Sequence, residues 1–130
     1  MSSDVERVLM ALHPTVEIVG RTAAASFEPQ PEHRGNAGWL HGGLAATVLD
    51  HVCARAAAAV LGKRVVTGKL DLRYPQPVLL AGGPYRVEAT AEPPRARTGE
   101  NRMVRVEGAI LDSDGQPMVE ARSLFVTLPT

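Results

Sequence analysis

A single cysteine, Cys53, occurs in the chain, which excludes an internal disulfide and any cysteine-built metal site. Aromatic residues are scarce too. Phe27, Trp39, Tyr74, Tyr85 and Phe125 are too few for a base-stacking platform. Neither sign of charge is in excess: 14 basic residues balance 14 acidic ones, so no global field draws nucleic acid or an anionic membrane. The N-terminus, MSSDVERVLM, has an early acid and no apolar core, unlike a signal peptide. The apolar run 44–61 approaches membrane-spanning length, but Asp50, His51 and Arg55 interrupt it at high cost in lipid. The expectation is a soluble, cytoplasmic protein with no nucleic-acid or membrane partner.

Chemistry-bearing motifs are also sparse. His13, His33, His41 and His51 form no His-x-x-x-His pair, so no metal site is expected. Ser26, Ser113 and Ser123 lie in no G-x-S-x-G elbow, which disfavours a serine hydrolase.

What is present fits one domain, residues 1–130, with 45% apolar residues and length enough for one hydrophobic core. Residues 4–12 predict a short helix, with Ser3 or Asp4 as N-cap. The stretch 15–27 predicts a strand interrupted near Gly20, followed by a loop rich in proline and glycine. A long helix is expected from about Gly42 to Leu61, closed by Gly62. After it the period changes to two. In 65–74, Val66, Leu70, Leu72 and Tyr74 share one face, and Thr67, Lys69, Asp71 and Arg73 the other. Further strands are expected over 85–92, 102–111 and 118–128, the last two joined by a DSDG turn. The sum is an α+β domain, one antiparallel sheet packed on one helix.

The long helix poses the functional question. On a helical wheel Leu44, Val48, Leu49, Val52 and Val60 gather on one side, and Asp50 points nearly the opposite way. Its neighbours there (Gly43, Ala46, Thr47, Cys53, Ala54, Ala57) are small, with no lysine or glutamate of the kind that marks a solvated face. On the wheel alone Asp50 reads either as a solvated residue on the exposed side of an amphipathic helix or as a functional carboxylate. Small residues also let another helix or a slender ligand approach closely. At the helix start, Gly42 and Gly43 leave the first backbone N–H groups open at the positive end of the helix dipole, an arrangement suited to an oxyanion. Gly42 and Asp50 are about 12 Å apart along the axis, so one chain cannot bring both to one carbonyl. Two helices packed antiparallel about a two-fold axis can, so if both groups act on one bond the working unit is at least a dimer with two shared sites.

The segment from Gly38 to Asp50, G-x-L-H-G-G-x-x-A-T-x-x-D, resembles the hotdog-fold acyl-CoA thioesterases of the phenylacetic-acid-degradation (PaaI-like) group. VVTGKLDLRYPQPV (65–78) is similar to that family's strand after the central helix, and AILDSDGQPMVEARSLFV (109–126) to its last two strands. The likeness covers most of the chain from about residue 36. It implies a hotdog fold, an antiparallel sheet wrapped around one long central helix, and hydrolysis of an aryl- or aliphatic acyl-CoA to free acid and CoA.

By that resemblance Asp50 attacks the thioester or activates the attacking water, and the Gly42 N–H of the neighbouring subunit polarises the carbonyl. His41 positions the carbonyl or its loop, and Thr67 places the water or the carboxylate. Asn36, five residues before His41 where many members carry it six before, is a substrate-binding candidate, as are Gly43 and Trp39. No cofactor is implied beyond the coenzyme A of the substrate, and the assembly implied is a homodimer or a dimer of dimers. Lys63, Arg64, Arg95, Arg97 and Arg102 are candidates for the phosphates of CoA. The alternative is a non-catalytic hotdog protein that binds acyl-CoA or another apolar ligand. Asp50 favours the enzyme, because a binder gains nothing from a costly acid on that face. In the hydratase branch of the fold the histidine and acid work at a different spacing.

Overall fold

The computed structural model describes residues 3–35, 38–94 and 102–128. Helix α1 (Ser3–Ala11) precedes strands β1 (Glu17–Val19) and β2 (Thr22–Phe27), which turn at Gly20. That turn uses a left-handed backbone, φ 59°, which glycine adopts without steric cost. A single 3₁₀ turn, Pro31–His33, interrupts the expected loop. Helix α2 (Gly42–Leu61) follows and ends on Gly62, whose φ of 66° and N–H bond to the Ala58 carbonyl form its C-terminal cap. Strands β3 (Val65–Arg73), β4 (Tyr85–Ala91), β5 (Met103–Leu111) and β6 (Pro117–Thr127) complete the chain. The Asp112 side chain holds the β5–β6 turn by accepting from the N–H groups of Asp114 and Gln116.

All six strands form one antiparallel sheet in the order β1-β2-β4-β5-β6-β3, with α2 across its inner face. By length and composition α2 could cross a membrane, but eight of its residues are buried in the protein, among them Val48, Leu49 and Val52. Burial of each such branched side chain contributes about 1.5–3 kcal/mol. The residues opposite are small in places. A Cβ at Gly108 would meet Cys53 Sγ at 2.7 Å, so β5 admits the helix this closely only because it has no side chain there.

The wheel expectation needs one revision. Cys53 and Ala57, assigned to the small-residue face, are fully buried in the core. The buried arc is therefore wider than the large residues alone marked out, and Asp50 sits at its border, half-buried beside β3, rather than opposite it.

A second revision concerns β3. Register with β6 shifts between Thr67 and Lys69, leaving Gly68 as an extra residue. A bulge of this kind reverses the alternation on one side of it. Thr67 accordingly turns toward α2, Leu70 and Leu72 also pack inward, and Val66 is left outward and 45% exposed. The face assignment holds after the bulge and fails before it. β3 is also the last strand of the sheet, so one of its edges has no strand partner among the described residues.

Candidate active site

The loop that leads into α2 is built around a buried histidine. His33 Nδ1 accepts from the Gln30 N–H at 2.9 Å, and its Nε2–H donates to the Val8 carbonyl of α1 at 3.0 Å. The carbonyl of His33 in turn accepts from the His41 N–H at 2.9 Å. One side chain thus ties α1 to the segment that sets the start of α2.

His41 is the N-cap of α2. Its carbonyl accepts from the N–H groups of Leu44 and Ala45, and its Nδ1 from the N–H of Gly43 at 3.0 Å. The bond at Nδ1 assigns the ring the tautomer with its proton on Nε2, a donor on an exposed side chain. Of the four N–H groups that open the helix, three are therefore engaged and Gly42's is left without a partner among the described residues. The ring also explains Gly43, where a Cβ would lie 3.2 Å from His41 Cε1.

About 12 Å further along α2, two turns on, Thr67 Oγ1 donates to Asp50 Oδ1 at 2.7 Å. The sequence-predicted residues thus form two groups. Asp50 and Thr67 meet directly. His41, Gly42, Gly43 and Trp39 gather at the helix start. Asn36, Arg95 and Arg97 lie outside the described residues.

Beside Gly42 is a cleft of about 380 Å³ lined by Trp39, Leu40, Ala45, Tyr74, Val78 and Val119, among others, with Gln76 as its polar side chain besides the Tyr74 hydroxyl. Trp39 and Tyr74 are 44% and 49% exposed there. A groove of similar size lies on the outer face of the sheet, away from α2, and is lined by Asp71, Arg73, Glu107, Glu120 and Arg122. Its charges are in part neutralised locally, as by Arg122 with Glu107 at 3.7 Å, and it touches none of the predicted residues. The Leu128 N–H bonds to the Arg64 carbonyl and the Thr127 N–H to that of Arg102, so two basic candidates flank the end of β6.

Two residues in these contacts escaped sequence reasoning. Tyr74 O–H donates to the Gly42 carbonyl at 2.8 Å; its inward position was readable from the alternation, its target was not. His33 carried no signal beyond being a histidine in a proline-rich loop. Two remaining groups are structural. Burial pushes the Cys53 thiol up to about 12, so it is no nucleophile near neutrality. His51, next to Asp50 in sequence, binds the Pro14 carbonyl at 3.0 Å and meets the His13 ring edge-on.

A sheet of this order wrapped over one long helix is the hotdog fold, and the solved structures that share it include several thioesterase-superfamily proteins. A thioesterase-superfamily protein from Shewanella loihica PV-4 is 25% identical, with 89% of this chain and 91% of that one covered and a TM-score of 0.67. A putative thioesterase from Ralstonia eutropha JMP134, described as phenylacetic acid degradation-related, is 23% identical over 93% of this chain and 89% of its own, with a TM-score of 0.75. A Bacillus halodurans protein solved with CoA is 16% identical, covering 100% and 97%, with a TM-score of 0.65. Neither a family model nor a curated protein matches the sequence.

Proposed function

We propose that this protein is an acyl-CoA thioesterase that works as a homodimer with two shared sites, or as a dimer of dimers, in the cytoplasm. The observation that carries the reading is the separation of two complementary half-sites on one helix: a hydrogen-bonded carboxylate at Asp50 and a Gly42 N–H with no partner among the described residues. Antiparallel packing of two such helices brings Asp50 of one protomer to Gly42 of the other. The open edge of β3, beside Asp50, and the small residues Gly43, Thr47 and Ala54 favour that packing.

In the reaction, the thioester oxygen accepts from Gly42 N–H and from His41 Nε2–H. Asp50, held by Thr67, either attacks the carbonyl carbon or takes a proton from the water that does. Collapse of the tetrahedral adduct breaks the C–S bond and expels the CoA thiolate; where water has attacked, the free acid is left directly, and where Asp50 has attacked, an acyl–Asp50 anhydride is left that a water molecule then hydrolyses to the acid. A thioester is activated enough for this without a metal or an organic cofactor. The cleft at Trp39 and Tyr74 takes the acyl group, aryl or aliphatic, and Gly43 and Asn36 belong to the substrate-binding set. The CoA carried by the Bacillus halodurans neighbour and the thioesterase names of the others support the substrate class.

The test is thiol release from a panel of aryl- and alkyl-CoAs by the wild type and Asp50→Asn. Loss of orders of magnitude in a folded, still-dimeric variant is the expected result. A wild type inactive on the whole panel would favour a hotdog protein that binds acyl-CoA without turnover.

A further inference from the structure

The peptide between Gly42 and Gly43 has no side chain on either flank to hold its plane, and glycine leaves both torsions free. Yet both of its polar atoms are engaged by side chains. Tyr74 O–H donates into the carbonyl at 2.8 Å, and His41 Nδ1 accepts from the N–H at 3.0 Å. The chain of contacts runs from phenol through peptide to imidazole, and bonds in such a series polarise one another. Burial pushes the Tyr74 phenol further above its ordinary range, so it remains an O–H donor.

We infer that Tyr74 is a positioning residue for the oxyanion side of the site: by holding the Gly42 carbonyl it fixes the Gly42–Gly43 peptide, whose N–H locks the His41 ring with Nε2–H outward, and so steadies the helix start that carries the Gly42 N–H of the preceding peptide. Tyr74 touches neither the carboxylate nor the reacting atoms and acts through the peptide. The Gly68 bulge belongs to the same device. Thr67 and Tyr74 are an odd number of residues apart and would face opposite sides of a regular strand, but the extra residue sets both on the α2 side. β3 and the residue just beyond its end therefore hold the carboxylate at one point and the helix start at another.

The inference rests on the thioesterase reading for its kinetic consequence and on geometry alone for its structural one, so both are measured on Tyr74→Phe. The ring, and with it the wall of the cleft, is kept. Expected are a kcat about tenfold lower with KM within about twofold, the pattern for a loss felt in the transition state. Hydrogen exchange at the Gly43 amide, followed by NMR, should be faster, and His41 nitrogen shifts should move from the Nε2–H tautomer toward a mixture. An active variant with wild-type kcat overturns the proposal, as does an unchanged Gly43 amide. An inactive wild type whose Gly43 amide and His41 shifts still respond to Tyr74→Phe sinks the thioesterase reading and leaves the positioning in place.

Discussion

Replacing Thr67 by valine isolates one bond at the carboxylate. The O···O distance of 2.7 Å falls in the short, charge-assisted range. Valine keeps the shape and the strand preference of threonine but cannot donate. Hydrogen bonds to charged groups contribute about 1.5–3 kcal/mol, and exposure of Thr67 with half-burial of Asp50 puts this one at the lower end. At about 1.4 kcal/mol per factor of ten, the expected fall in kcat is about tenfold. KM should change little, because the bond orients the carboxylate rather than the substrate. Thr67→Ser returns the hydroxyl and should lie within about twofold of wild type. Steady-state thiol release on the best acyl-CoA measures all three proteins. Wild-type kcat in the valine variant would refute the reasoning; equal losses in valine and serine would trace the effect to packing instead.

His33→Leu leaves the Gln30 N–H and the Val8 carbonyl without partners and should cost roughly 2–4 kcal/mol, read as a lower denaturation midpoint with unchanged slope. A loss under about 1 kcal/mol would mean that water replaces the ring. Ala54→Arg puts a long charge among the small residues beside Asp50, and light scattering should find a folded, inactive monomer; an active dimer would refute helix-to-helix packing. Burial holds His51 below its ordinary 6.5, with His13 and Arg55 adding to the effect while the Pro14 carbonyl and Asp50 oppose it. As pH falls below 6.5 the unfolded chain takes up this proton first, so stability is full above that value, declines beneath it and levels off below the folded value. Urea melts across pH should lose that component in His51→Gln, and parallel profiles would refute it.

Much of this was legible because the helix and its flanks obey local rules. The change of period after Gly62 separated α2 from the sheet, and an acid among small residues marked Asp50. The family-like run from Gly38 carried His41 and Gly42. What escaped was set by register and by distance along the chain. Gly68 looks like any glycine in a strand; only its pairing with β6 shows that it reverses the face of Thr67. The wheel weighed side chains by size, whereas Cys53 is drawn into the core by the missing side chain of Gly108, on a strand fifty-odd residues later. The contact of Tyr74 with a backbone oxygen, and that of His33 with α1, leave no periodic trace.

Trp39 is the chain's one tryptophan, and it stands half-exposed at the cleft beside Gly42. Nearly all ultraviolet emission excited at the red edge must therefore come from a single place in each protomer. The protein carries an intrinsic dye at the mouth of its candidate site, one that answers to occupancy whether or not a bond is broken. A titration with CoA or with free carboxylic acids can thus be followed on unmodified protein, independently of any turnover.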